Sequence, residues 1–156
     1  MEKTGEKSET KNGSKIEIYT DGAYSSSRDR GGVGLVIIKN GVQICEWNKG
    51  FIKTTNNRCE LYGVIKALHC ISKPINNLII YSDSQYVIYS ITKGWKRKKN
   101  QDLWELFDKV LLKASDLCAN IEFKWVKGHD SNNFNNRADV LAVNATIDLC
   151  EDLREL

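Results

Sequence analysis

The chain has 156 residues, 41% hydrophobic and 28% charged, and 23 basic against 20 acidic side chains leave a net charge of +3. That length suits one domain able to bury roughly two thirds of its unfolded surface, and the single proline excludes collagen-like and proline-rich classes. No apolar run approaches the roughly 18 residues of a membrane helix, and a net charge of +3 argues for no particular partner.

Residues 1–15 mix Lys3, Glu6, Lys7, Glu9 and Lys11 with Thr, Ser, Asn and Gly. Such a stretch buries too little apolar surface to offset its ordering entropy, so a disordered polar tail is expected there. It has no apolar core for a secretory signal, and a cytoplasmic protein with no membrane partner is the expectation. Order is predicted to begin with the alternating Ile16-Glu17-Ile18-Tyr19-Thr20, ending at the turn dipeptide Asp21-Gly22. A polar loop from Ser25 to Arg30 leads to a strand over Val33–Ile38. Asn40-Gly41 signals a tight hairpin into a third strand over Val42–Trp47.

The period then changes. Leu61, Val64, Ile65, Leu68 and Ile71 recur at helical spacing, and this helix should stop before Pro74. Leu78-Ile79-Ile80-Tyr81 reads as a strand buried on both faces. Helices follow from Ser84 to about Thr92 and across Leu103, Leu106, Phe107, Val110 and Leu111. Ile121–Trp125 alternates as a strand, and Ala138, Leu141, Ala142 and Ala145 share one face of a last helix. The order β-β-β-α-β-α-α-β-α implies an α/β domain over residues 16–150. Its mixed sheet has three antiparallel strands plus parallel ones, with helices on both faces. Residues 151–156 form a short acidic C-terminal tail. Cys45, Cys59, Cys70, Cys118 and Cys150 are odd in number and lack a C-x-x-C pair. Reduced, mostly buried thiols are expected.

Four acids stand out, each with a plain alternative. Asp21 can be a turn residue. Glu60 follows Asn57 at capping-box spacing. Asp83, in Ser82-Asp83-Ser84, can cap a helix, and Asp139 suits the dipole in the first turn of the last helix. Together they point elsewhere. In α/β sheets, sites form beyond the carboxyl ends of parallel strands, where Asp83 lies. Carboxylates packed there raise one another's pKa unless cations join them, and all-oxygen ligands suit Mg²⁺ or Mn²⁺.

The chain resembles a type 1 ribonuclease H from about Lys15 to about Ile147. The resemblance rests on Tyr19-Thr20-Asp21-Gly22, Thr55-Asn56-Asn57-Arg58-Cys59-Glu60-Leu61 and Tyr81-Ser82-Asp83-Ser84-Gln85-Tyr86-Val87. It continues in Trp125-Val126-Lys127-Gly128-His129 and Asn135-Asn136-Arg137-Ala138-Asp139. It implies an RNase H-like mixed five-stranded sheet and hydrolysis of the RNA strand of RNA–DNA hybrids, giving 5′-phosphate and 3′-hydroxyl products. By resemblance, Asp21, Glu60, Asp83 and Asp139 hold two Mg²⁺ ions, with Mn²⁺ a possible substitute, and His129 assists proton transfer or product release. His69, the only other histidine, is read as structural.

The resemblance also implies how a hybrid duplex is held. Asn56, Asn57 and Gln85 match positions reading the minor groove, where an amide can both donate to and accept from a 2′-hydroxyl. The Gly22 backbone approaches the RNA, Lys53 and Thr55 match a DNA-strand phosphate site, and Asn135 matches a position beside the scissile phosphate. Between Tyr86 and Leu103 the chain departs from better-known members, which carry an extra helix and a basic protrusion. Here one basic turn replaces it, with Lys93, Lys96, Arg97, Lys98 and Lys99 around Trp95. Trp95 either stacks on a sugar or base or tucks into the core. Ser131 replaces a common glycine. A monomer is expected, and Met1 with the polar tail favours an independent protein over the RNase H part of a reverse transcriptase. The rival readings are a relative that cuts other structured substrates and a catalytically silent hybrid-binding module.

Overall fold

The alternation at Ile16, Ile18 and Thr20 sends these side chains to one buried face of β1 (Lys15–Ser25). The computed structural model describes residues 14–128, 132–147 and 150–152, so most of the expected polar tail lies outside the described residues. Strands β2 (Arg30–Lys39) and β3 (Val42–Ile52) follow antiparallel. They meet at a two-residue turn where Asn40 and Gly41 both take positive φ, 49° and 86°, the conformation that an Asn-Gly hairpin supplies.

Helix α1 (Asn56–His69) leads to β4 (Ile75–Ser82), parallel to β1. Helices α2 (Gln85–Thr92) and α3 (Gln101–Leu117) precede β5 (Cys118–Trp125), parallel to β4, and α4 (Asn133–Ala145) follows. A short β6 (Cys150–Asp152) closes the order β5-β4-β1-β2-β3-β6. Leu61, Val64, Ile65 and Leu68 of α1 pack with Ile18, Val33, Leu35 and Ile80 on one face of the sheet. Ala138 and Leu141 of α4 pack with Tyr19, Val36 and Ile38 on the other. Central β1 thus runs between two helices that approach from opposite sides. Among the described residues no helix is long and apolar enough to cross a membrane.

Three expectations change. Strand β1 does not end at Asp21-Gly22; its ladder with β2 continues through Asp21↔Gly34 and Gly22↔Val33 to Ser25↔Arg30. Gly22 is no turn glycine: a Cβ there would strike the backbone of Cys59 and Glu60 in α1. Secondly, Glu151 and Asp152, expected in a free tail, pair with Phe51 and Ile52 as part of β6, adding a short sixth strand to the five long ones. Thirdly, only Cys59 and Cys118 are buried, while Cys45 and Cys70 are exposed and Cys150 is half-buried. The half of β3 nearest the hairpin, which carries Cys45, is open to solvent.

Phe51 is fully buried and meets the Tyr62 ring edge-on at 5.3 Å between centroids. Truncation there leaves a cavity between β3 and α1. Phe51→Ala is expected to cost about 3–5 kcal/mol of stability, measured as a lower urea midpoint with an unchanged slope.

Candidate active site

The parallel register of β1 and β4 ends at Tyr19↔Tyr81, and two residues further on stand Asp21, inside β1, and Asp83, just past the end of β4. Glu60 arrives from α1, whose backbone lies against Gly22. Carboxylate oxygens of Asp21, Glu60 and Asp83 all lie within 4.8 Å of one another. Asp21 is 4% and Glu60 7% exposed, and Asp83 is half-buried. Asp139, from α4 on the opposite face, stands near enough to Asp21 to raise its pKa. Three of the four sequence-selected acids thus cluster, and the fourth stands beside Asp21.

None of the plain alternatives survives. Asp21 lies inside a strand. The cap of α1 is Thr55, whose side chain accepts from Arg58 N, and Glu60 sits a turn further in. The cap of α2 is Ser84, accepting from Val87 N at 3.2 Å, so Asp83 does not cap it. Asn132 caps α4, whose first turn holds no acid, and Asp139 stands in the second turn.

The cluster is electrostatically costly. Burial, then the charges of Glu60 and Asp83 and the contact with Asp139, push Asp21 up to about 10. Glu60 is also raised well above the ordinary range, by burial first and the Asp83 charge second. One donor opposes this: the Gly22 N–H points to Glu60 Oε1 at 2.8 Å and Asp21 Oδ1 at 2.9 Å. A hard cation would satisfy such oxygens better than shared protons do. The donor set fits divalent metal.

Residues outside the four acids hold the corner. Trp125 Nε1 donates to the Asp83 carbonyl at 3.1 Å, and Val126 N donates to Ser82 O at 2.9 Å. A Cβ on Gly128 would come 2.7 Å from Asp83 Oδ2, so that loop's backbone lies against the carboxylate. The Trp125–Gly128 motif carried this signal, but spacing alone assigns no partner to Trp125 or Gly128. His129 and Ser131 lie outside the described residues.

Asn56, Asn57 and Gln85 are exposed at the starts of α1 and α2. Thr55 uses its oxygen to accept from Arg58 N at 3.2 Å and keeps its O–H to donate outward. Asn135 is 2% exposed and its Oδ1 has no partner among the described residues. The basic turn is better tied down than a solvated loop. Trp95, 48% exposed, stands edge-on to Tyr89, with ring centroids 5.3 Å apart, and so is not tucked into the core. Arg97, expected among the nucleic-acid contacts, lies over the Trp104 ring at 4.3 Å and pairs with Asp108 at 2.9 Å. Lys96, Lys98 and Lys99 stay exposed and, with Asn57, Tyr86 and Asn100, line a cavity of about 280 Å³. Its lining residues Tyr86 and Asn100 belong to a network that spacing did not reveal. Arg58 pairs bidentately with Asp102 at 2.8 and 3.0 Å, and Asn100 Nδ2 and Trp104 Nε1 both donate to Tyr86 OH at 3.1 Å.

Comparison with known proteins agrees with this geometry. The RNase H family matches residues 13–147. The Ribonuclease H of Trichodesmium erythraeum is 39% identical over 160 residues, covering 92% of this chain and 98% of that protein. That of Lachnoclostridium phytofermentans is 43% identical over 150 residues, covering 84% and 91%. Among solved structures, RNase H1 of the archaeon Halobacterium salinarum NRC-1 shares the fold, with a TM-score of 0.69 at 24% identity over 86% of this chain and 99% of that one. LC11-RNase H1 in complex with an RNA/DNA hybrid has a TM-score of 0.68 at 25% identity over 85% of this chain and 96% of that one.

The raised carboxyls make metal-free stability depend on pH. Asp21 titrates at about 10 in the fold against an ordinary 3.8. Its contribution is therefore complete below the lower value and lost as pH rises toward the upper one. The melting temperature of metal-free protein is expected to fall between pH 5 and pH 9, and Asp21→Asn to flatten that fall. Added Mg²⁺ should raise the wild-type melting temperature at pH 8 more than the variant's. A calorimetric series with and without chelator checks both.

Proposed function

We propose, from the premise that the chain belongs to the RNase H family, that it is an endonuclease cutting the RNA strand of RNA–DNA hybrids. The observation that carries this reading is the convergence of Asp21, Glu60 and Asp83 within 4.8 Å, with Asp139 close enough to raise the Asp21 pKa. A module that only bound duplexes would gain nothing from a buried cluster of like charges. Asp21, Glu60, Asp83 and Asp139 would hold two Mg²⁺ ions, with Mn²⁺ a possible substitute. When bound, such ions supply the positive charge that activates water and stabilises the leaving oxygen in an in-line displacement.

The remaining work falls to the chain's own groups. Asn56, Asn57 and Gln85 face the minor groove, where each amide donates to or accepts from a 2′-hydroxyl, so the strand lacking it is not positioned for cutting. The Gly22 backbone would lie close to the RNA beside Asp21. Asn135, which the resemblance sets beside the scissile phosphate, would meet it by donating from its side-chain amide N–H. Lys53 and Thr55 hold a phosphate of the DNA strand by charge and by O–H donation. Lys96, Lys98 and Lys99, with the open face of Trp95, track the duplex backbone on the α2–α3 side. Water attacks phosphorus and the bond to the 3′ oxygen breaks. That oxygen takes up a proton, giving a 5′-phosphate and a 3′-hydroxyl. His129 serves proton transfer or product release.

The deciding assay compares a labelled hybrid with matching double-stranded DNA and double-stranded RNA, with Mg²⁺ and with chelator. Cleavage of the hybrid's RNA alone, lost in chelator, is expected; cutting of either other duplex would sink the assignment. Asp21→Asn should keep fold and hybrid binding while lowering cleavage by about a thousandfold or more, a transition-state loss of about 4 kcal/mol. Replacing Lys96, Lys98 and Lys99 by Gln should weaken hybrid binding and flatten its salt dependence, by up to about one ion per lost phosphate contact. Arg97→Gln should leave the salt slope nearly unchanged, because its charge is already paired with Asp108. His129→Ala should slow turnover more than it weakens binding, which single-turnover kinetics would reveal.

A further inference from the structure

The β3–α1 connection carries an unusual arrangement around Lys53. This residue takes a left-handed backbone conformation, φ 54°, and its side chain is 63% exposed. Its Nζ lies 3.8 Å from Oδ2 of Asp152, whose side chain is only 10% exposed. Asp152 stands opposite Ile52 at the end of β6. A single ion pair made by an exposed lysine adds little to the seating of that strand. Backbone pairing of Gly50, Phe51 and Ile52 with Cys150, Glu151 and Asp152 seats β6 instead. The carboxylate is therefore placed against a lysine that the proposed function assigns to a phosphate.

We propose that Asp152 acts as an internal anion on Lys53, in competition with a phosphate of the DNA strand, so that the C-terminal strand sets the strength and salt dependence of hybrid binding. The inference rests on the reading of Lys53 given above and deepens it. A bound phosphate must take the ammonium from Asp152 or share it, and a fixed negative charge beside the approaching phosphate opposes it in either case. The competition also hides a charge from solution. While Lys53 is paired within the chain it holds fewer counterions, so binding a phosphate releases fewer than a free lysine would.

The test is hybrid binding by fluorescence anisotropy, in chelator to prevent cleavage, across a series of KCl concentrations. Asp152→Asn, close in shape and uncharged, is expected to tighten binding about three- to tenfold at low salt and to steepen the salt slope by up to one ion. Asp152→Ser should do the same, and circular dichroism of both variants should match the parent. With Lys53→Ala, binding should weaken, and adding Asp152→Asn should then change nothing further. Unchanged or weaker binding by both Asp152 variants, with Lys53→Ala still weakening it, would overturn the competition alone. A Lys53→Ala protein that binds like the parent would remove the phosphate role of Lys53 and the competition with it.

Discussion

Like charges forced together in a poorly solvated place govern the rest of this structure. Two unit charges at about 4.8 Å repel by roughly 3–4 kcal/mol even at an effective dielectric constant of 20, and Asp21, Glu60 and Asp83 come within that distance of one another. The chain pays for this with rigid supports. Asp21 is locked opposite Gly34 in the β1–β2 ladder, two residues beyond the last β1–β4 pair. Asp83 is held where β4 ends by Trp125, Val126 and the close backbone at Gly128. Glu60 reaches the cluster only because Gly22 has no side chain to keep α1 away. Asp139 depends on a similar close approach at Gly34, where a Cβ would strike α4 at Ala138 and Leu141.

The same frame frees the groups that would meet a ligand. Thr55, Ser84 and Asn132 supply the caps of α1, α2 and α4. Their neighbours Asn56, Asn57 and Gln85 therefore owe nothing to the helix ends and stay exposed. On the basic turn two of the five cations, Lys93 over Tyr89 and Arg97 over Trp104, lie on aromatic rings, and the other three do not. Arg97 lies over Trp104 and pairs with Asp108, so its planar, weakly hydrated head serves packing. Lys96, Lys98 and Lys99 remain in solvent around a cavity whose shape is set by Tyr86 and Asn100. A near-neutral total of +3 thus conceals a basic grip beside an acidic centre.

Much of this was legible along the chain, for identifiable reasons. Strand and helix periods are local, so the order from β1 to α4 followed from apolar spacing, and Asn40-Gly41 marked its hairpin because both residues accept positive φ. Where reading failed, a local rule met a non-local partner. Asp21-Gly22 looks like a turn until α1 explains the glycine, and Asn57 and Glu60 look like a capping box until Thr55 takes the cap. Strand β6 was missed because three residues have no period, and only the end of β3 gives them a ladder. The exposure of Cys45 depends on which part of the sheet the helices cover.

By itself, then, the sequence determined the elements, their order, the identity of the four acids and the resemblance that their motifs carry. Those depend on side-chain type and short spacing, which a chain displays without folding. Tertiary structure decided that Asp21, Glu60, Asp83 and Asp139 meet, that Arg97 turns inward while its lysine neighbours do not, and that Asp152 stands against Lys53. Residues 39 positions apart, like Asp21 and Glu60, become neighbours only when a helix packs on a sheet. Close approach of backbones is a property of that packing, and a glycine in a sequence does not say what will lie against it.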